Sequence, residues 1–208
     1  MNSDDRNRKM RVLLETYATD NIHNDLSNTA NYFRQRIESR VNKGEHDGLF
    51  LEMTAAITMI AFSLEANVNF VGHYKKVPGF KKLQSLDEKL AALITHLKIE
   101  ADFEARPFST VAPLKKIRNA LAHGKPRTPP PQKQEVVGTY DEIYAKQRMQ
   151  TEWEKAINPE FVVVADDDVG SIWKLLLEKA EIEIWDTLST SGGGMTFIEF
   201  VEEDGTGE

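Results

Sequence analysis

Apolar residues recur along most of this chain at spacings of three and four, the pattern of helices that bury one face. The longest such run covers residues 49–74. Leu49, Phe50, Met53, Ala56, Ile57, Ile60, Leu64, Val68 and Val71 keep helical spacing, and Ala55, Ala61, Phe62, Ala66 and Phe70 widen the stripe around most of the circumference. A helix apolar nearly all round belongs at the centre of a bundle. Shorter patterns predict a helix over 9–19 with Leu13, Leu14, Tyr17 and Ala18 on its apolar face, and another over 27–41 with Tyr32, Phe33 and Ile37 inward. Leu86, Leu90, Leu93, Ile94 and Leu97 predict a helix to about residue 98, opened by Ser85 with Glu88 three residues on, the pair that makes a capping box. Val111, Leu114, Ile117 and Leu121 predict one more, stopped by Gly124 and Pro126.

The C-terminal third reads less uniformly. Thr139 and Glu142 form a second capping-box pair and open an exposed helix to about residue 156. Residues 161–164, Phe-Val-Val-Val, predict a short strand, and Asp166, Asp167 and Asp168 after it predict an N-cap with acids facing the helix dipole. That helix would run to about Leu188 with Ile172, Leu175, Leu176, Ala180, Ile184 and Leu188 inward and Trp173 and Trp185 extending the face. Glycines 192–194 predict a turn, and 195–201 a strand pairing with 161–164. The predicted architecture is a single mainly α domain over 1–208. It is an up-and-down bundle of about five to seven helices with a small two-stranded C-terminal β element. Within it lie N-terminal helices over 9–41, a core over 49–125, C-terminal helices and strands over 139–201 and an acidic tail over 202–208.

Composition narrows the setting. At 208 residues, with 40% hydrophobic and 28% charged residues, the chain suits an ordinary globular domain. It is expected to hold no apolar run of membrane-spanning length, and its first residues are polar, unlike a signal peptide. It has no cysteine, which excludes disulfides and thiolate metal sites and makes a reducing cytoplasm the expected location. The net charge of −7 speaks against nucleic-acid affinity over the whole surface. The charge is uneven, however. Residues 105–134 contain no Asp or Glu but seven cations: Arg106, Lys115, Lys116, Arg118, Lys125, Arg127 and Lys133. Cations near a helix C-terminus account for two or three of these. The full island is the kind of surface that faces a polyanion such as RNA. Four prolines within 126–131 predict an extended, stiff arm after it.

The chemistry-bearing residues lie inside that island. There is no Gly-rich phosphate loop, nucleophile elbow or metal-ligand cluster, so no cofactor or metal is expected. Arg118, Asn119 and His123 remain. An imidazole titrates near neutrality and can take or give a proton. A guanidinium grips a phosphate through two hydrogen bonds and stabilises charge on it. On an ideal helix, residues five apart lie roughly 140° apart around the axis, so Arg118 and His123 do not share a face. Either they do unrelated jobs, or a second copy of the helix completes the site. Glu65, a carboxylate in the most apolar helix, is expected to find a partner or stay at the rim. That partner is either a structural hydrogen bond or ion pair, or a functional contact to Arg118 or His123. Asn69 carries the same two readings.

Arg118-Asn119-x-x-x-His123-Gly124 resembles the motif of the HEPN superfamily, an Arg, a polar residue directly after it and a His with four to six residues between it and the Arg, four here. Two upstream segments resemble the same family in the same order: 61–72, an apolar run through Leu64-Glu65-Ala66 to Asn67, and 86–90, Leu-Asp-Glu-Lys-Leu. The resemblance covers roughly 49–125. It implies a HEPN-like helical bundle, and a metal-independent endoribonuclease that cleaves RNA by attack of the 2′-hydroxyl. Arg118, Asn119 and His123 would be catalytic, Glu65 and Asn69 supporting, and Lys115, Lys116, Lys125 and Arg127 on the RNA. It also implies a homodimer in which two motif helices meet, and a toxin–antitoxin or phage-defence setting beside a nucleotidyltransferase-like antitoxin. The alternative implied is a non-catalytic nucleotide-binding or interaction dimer.

Overall fold

The structure is a computed structural model that describes residues 8–126, 128, 130, 133–145 and 151–201. Its contacts group into two compact units, a helical one over Ile22–Thr187 and a smaller one formed by Met1–Asn21 with Leu188–Glu208.

The helical unit contains α1 (His23–Lys43), α2 (Leu49–Tyr74), α3 (Leu86–Leu97), α4 (Val111–Ala122), α5 (Tyr140–Ala145), α6 (Glu152–Ala156) and α7 (Pro159–Ala180). The mainly helical class expected from the periodicity is therefore what forms. Helix α2 has the bounds its apolar run predicts and is the centre of the unit, packed by α1, α3, α4 and α7. Ile57, Ile60, Val68 and Val71 have no exposed surface and Leu64 has 1%. Full burial of such a side chain stabilises by about 1.5–3 kcal/mol, so Ile60→Ala is expected to cost about 2–5 kcal/mol. One expectation is corrected here. By length and composition α2 does reach what a membrane span requires, although in this fold neighbouring helices cover its core face. Residue 72 is a glycine for a packing reason: a Cβ there would stand 2.2 Å from the Phe80 ring, which lies against the helix. That contact fixes the turn leading into α3. The predicted capping box then starts α3, with Ser85 Oγ accepting from Glu88 N–H at 3.2 Å and Glu88 Oε2 accepting from Ser85 N–H at 3.0 Å. The second predicted box also forms, with Glu142 Oε2 accepting from Thr139 N–H at 2.9 Å.

The C-terminal expectations need correcting. Residues 161–164 are not a strand; they lie in the first turns of α7. Four apolar residues in a row cannot distinguish a strand from a buried helix by period alone. The deciding signals are Asn158, whose side chain accepts from Phe161 N–H at 2.8 Å, and Pro159 at the first helical position. The three aspartates are accordingly not a cap but lie in mid-helix. Asp166 and Asp167 accept from Arg34 at 2.9 and 2.6 Å, and Asp168 is buried. Helix α7 stops at Ala180 rather than 188, and Ile184, Trp185 and Leu188 are exposed rather than inward.

The small unit is an antiparallel ribbon of β1 (Met10–Thr19) and β2 (Thr190–Phe200). The helix expected over 9–19 is thus a strand, and the strand expected at 195–201 pairs with it instead of with 161–164. Met10, Val12, Leu14 and Thr16 alternate, which is a strand period that a count of apolar spacings blurs. Glycines 192–194 lie within β2 rather than in a turn. The Tyr17 ring lies across Gly192, where a Cβ would come within 2.5 Å of its hydroxyl oxygen.

Candidate functional site

Helix α4 turns Val111, Leu114 and Ile117 into the core, which leaves Arg118 and Asn119 half-buried at the edge facing α2 and α3. There Arg118 meets Glu65 on α2, with its Nη2 donating to Glu65 Oε2 at 2.9 Å. Its Nη1 donates to Asn119 Oδ1 at 3.1 Å, and its guanidinium carbon stands 5.6 Å from the centre of the Phe62 ring. The third nitrogen, Nε, is buried without a hydrogen-bond partner. The pair is open to solvent at its outer side, with 30% of the Arg118 and 26% of the Glu65 side chain exposed. Both line a cleft of about 250 Å³, together with Gln84, Ser85, Lys115 and Asn119.

His123 follows at the end of α4. Its backbone N–H closes the helix on Asn119 O at 3.0 Å, and its side chain is exposed. No hydrogen bond or ion pair joins its imidazole to Arg118, Asn119 or Glu65. The chain therefore brings Arg118, Asn119 and Glu65 together and holds His123 apart on the same helix. Asn69, one turn beyond Glu65, is half-buried and has no hydrogen bond to either residue. Asn67, which the sequence marks only as the end of the run that resembles the family, is the buried amide of this helix, 2% exposed with its Oδ1 unpartnered. No local pattern marks its burial, which depends on what packs around α2.

The basic island is less free than its sequence suggests. Arg106 pairs with Asp168, Lys115 with Asp87 and Arg118 with Glu65, so three of the cations meet carboxylates brought from elsewhere in the chain. Lys116, Lys125 and Lys133 are exposed, with no carboxylate in ion-pair reach among the described residues. Arg127, the acidic residues 202–208 and parts of the proline arm lie outside the described residues. Among the described residues, no three His, Asp or Glu side chains gather as a metal ion would require.

No family model matches this chain, and neither a curated protein nor a solved structure is found similar to it.

Proposed function

We propose that the chain is a HEPN-type endoribonuclease that cleaves RNA without a metal ion, as a twofold homodimer. The observation that carries this reading is the Arg118 guanidinium, held by Glu65 and Asn119 at the mouth of a cleft, with an exposed imidazole at the end of the same helix. A phosphate that reaches the cleft meets a preset cation whose orientation Asn119 fixes. His123 of either copy takes the proton of the ribose 2′-hydroxyl as its oxygen bonds to phosphorus. The P–O5′ bond breaks, and the leaving oxygen gains a proton. The products are a 2′,3′-cyclic phosphate and a 5′-hydroxyl. Because Arg118 and His123 face apart within one chain, a second motif helix completes the site in this reading. Lys116 and Lys125, both exposed, supply backbone affinity. The setting that goes with it is cytoplasmic, as a toxin or phage-defence effector controlled by a nucleotidyltransferase-like antitoxin.

A second reading is a non-catalytic nucleotide-binding or interaction dimer. The Arg118–Glu65 ion pair favours it, because a phosphate must compete with a carboxylate already in place. RNA degradation by purified protein in EDTA separates the two. Arg118→Ala and His123→Ala are each expected to reduce cleavage ~100- to 10,000-fold with the fold intact. DNA, lacking the 2′-hydroxyl, is expected to be inert. Nucleotide binding without cleavage, with His123→Ala lowering only stability, would establish the second reading instead.

A further inference from the structure

The ribbon has two faces that differ in charge. Directly paired residues on antiparallel strands share a face. One face therefore carries Met10, Val12, Leu14, Met195, Phe197 and Phe200, and Leu14, Met195 and Phe197 are 64%, 63% and 50% exposed. The other carries the Arg11–Glu199 ion pair at 2.5 Å, then Leu13 beside Thr196, Glu15 beside Gly194 and Tyr17 beside Gly192. A two-stranded ribbon is at best marginal in water, and stability comes with three or more strands or a packed face. Each strand also has one ladder edge unpaired among the described residues, since the sheet order is β1–β2. Unpaired edges are templates for another strand.

We propose that the outer edge of β1 is an interface for a second copy of this chain, joined antiparallel about a twofold axis at Leu13. The charge pattern selects this occupant. With Leu13 on the axis, Arg11 of one copy stands opposite Glu15 of the other, and the twofold axis repeats the match. Val12 then faces Leu14 twice, on the apolar side. Opposite charges directly across a ladder stabilise it and like charges destabilise it. Strand β2 offers no such match. Glu199 is its one charged residue, so two β2 strands set no opposite charges across a ladder, and its glycines make a poor ladder. Pairing β1 with β1 also closes after two copies, whereas pairing β1 with β2 of the next copy would run on as a filament. The result is a four-stranded sheet with one continuous apolar face. The inference rests on the ribbon alone and is independent of the ribonuclease reading.

The absence of cysteine makes the test direct, because a single introduced thiol is the only one in the chain. Residues opposite each other in an antiparallel pair have Cα atoms about 4.5–5.5 Å apart, within disulfide reach. Leu13→Cys under oxidised glutathione is expected to give a covalent dimer, and Leu51→Cys, at the 72%-exposed Leu51 on α2, is expected to form no disulfide-linked dimer. Glu15→Arg added to Leu13→Cys is expected to slow that crosslinking about tenfold. Arg11→Glu combined with Glu15→Arg and Glu199→Arg restores every charge pair and is expected to restore the crosslinking rate. Leu13 is 57% exposed, so the cysteine variant is expected to fold, and circular dichroism checks that it does. Leu13→Cys crosslinking no faster than Leu51→Cys, or Leu13→Cys crosslinking indifferent to Glu15→Arg, overturns the interface. RNA cleavage does not enter either readout.

Discussion

Arg106 and Arg118 each reach from the same stretch of chain to a carboxylate on a long helix, and the two pairs differ in how completely they are closed. Arg106 uses Nε and Nη2 on Asp168, at 2.8 Å and 2.8 Å to one oxygen and 3.0 Å from Nε to the other. The Thr110 hydroxyl donates to the same carboxylate. Asp168 is left 4% exposed and fully engaged. Arg118 gives Glu65 one hydrogen, spends another on its neighbour Asn119, and leaves Nε unmatched beside an open cleft. The carboxylate's environment makes the difference. A buried acid must be satisfied from all sides, and a half-exposed one leaves its partner free to change ligands. The first pair binds the segment before α4 to α7; the second is the one that would exchange with a phosphate under the proposed function.

Paired substitutions can break or sharpen that contrast. The largest expected effect is on activity. Arg118→Ala is expected to abolish cleavage, by ~100- to 10,000-fold, and to cost less than about 1 kcal/mol of stability in urea unfolding, because its ion pair is partly in water. Arg106→Ala is expected to do the reverse, lowering stability by about 3 kcal/mol through a stranded buried carboxylate while the folded fraction keeps its activity. If both variants lost stability equally, Arg118 would be as structural as Arg106. A smaller effect is expected from Glu65→Gln, which removes the competing charge. RNA affinity measured by fluorescence anisotropy should tighten a few-fold, at roughly 1 kcal/mol or less of stability. Weaker binding would instead make Glu65 a positioning residue for Arg118. Lys116→Ala with Lys125→Ala should reduce the slope of log affinity against log salt by about 1.4 for single-stranded RNA. Lys115→Ala should change it less, since Asp87 already holds that lysine.

The smallest expected effect concerns another incompletely matched buried group, His23. It is 3% exposed, packs 4.7 Å from the Phe70 ring and 4.9 Å from Trp173, and its Nε2 has no partner. Burial holds its pKa below the ordinary 6.5. The unfolded chain therefore takes up a proton that the folded chain resists. Stability from this residue is fully present above pH 6.5, declines as pH falls toward the lowered folded value, and changes no further below it. Urea unfolding at about pH 7.5 and about pH 5.5 should show the decline, and His23→Phe should flatten it. The other four histidines are exposed.

The sequence carried some of this plainly and some of it not at all. Helix α2, the α3 capping box and the stop after α4 were legible because each rests on signals within a few residues: apolar period, Ser85 with Glu88, Gly124 with Pro126. The ribbon was not legible, because what makes 10–19 a strand is a partner some 180 residues away in the sequence. Asp166–Asp168 misled for a related reason. Acids at a helix start and acids inside a helix look alike until Arg34 and Arg106 arrive from other elements. At the candidate site, Glu65 was found because a charge in an apolar helix calls for a partner. Asn67 carries no such signal, because nothing in the sequence tells its buried amide from the half-buried Asn69 two residues on.

The ribbon also sets an order of events on the ribosome. Strand β1 is made about 170 residues before β2. Translation at roughly 5–20 residues per second leaves β1 without its partner for on the order of ten seconds or more. The helical unit can close during that interval from contacts within 22–187. Throughout it, Leu13, Leu14 and Tyr17 emerge on an unmatched strand, beside the same strand of neighbouring nascent chains on a polysome. If two copies pair through β1 as proposed, that pairing can begin before β2 of either chain has been made.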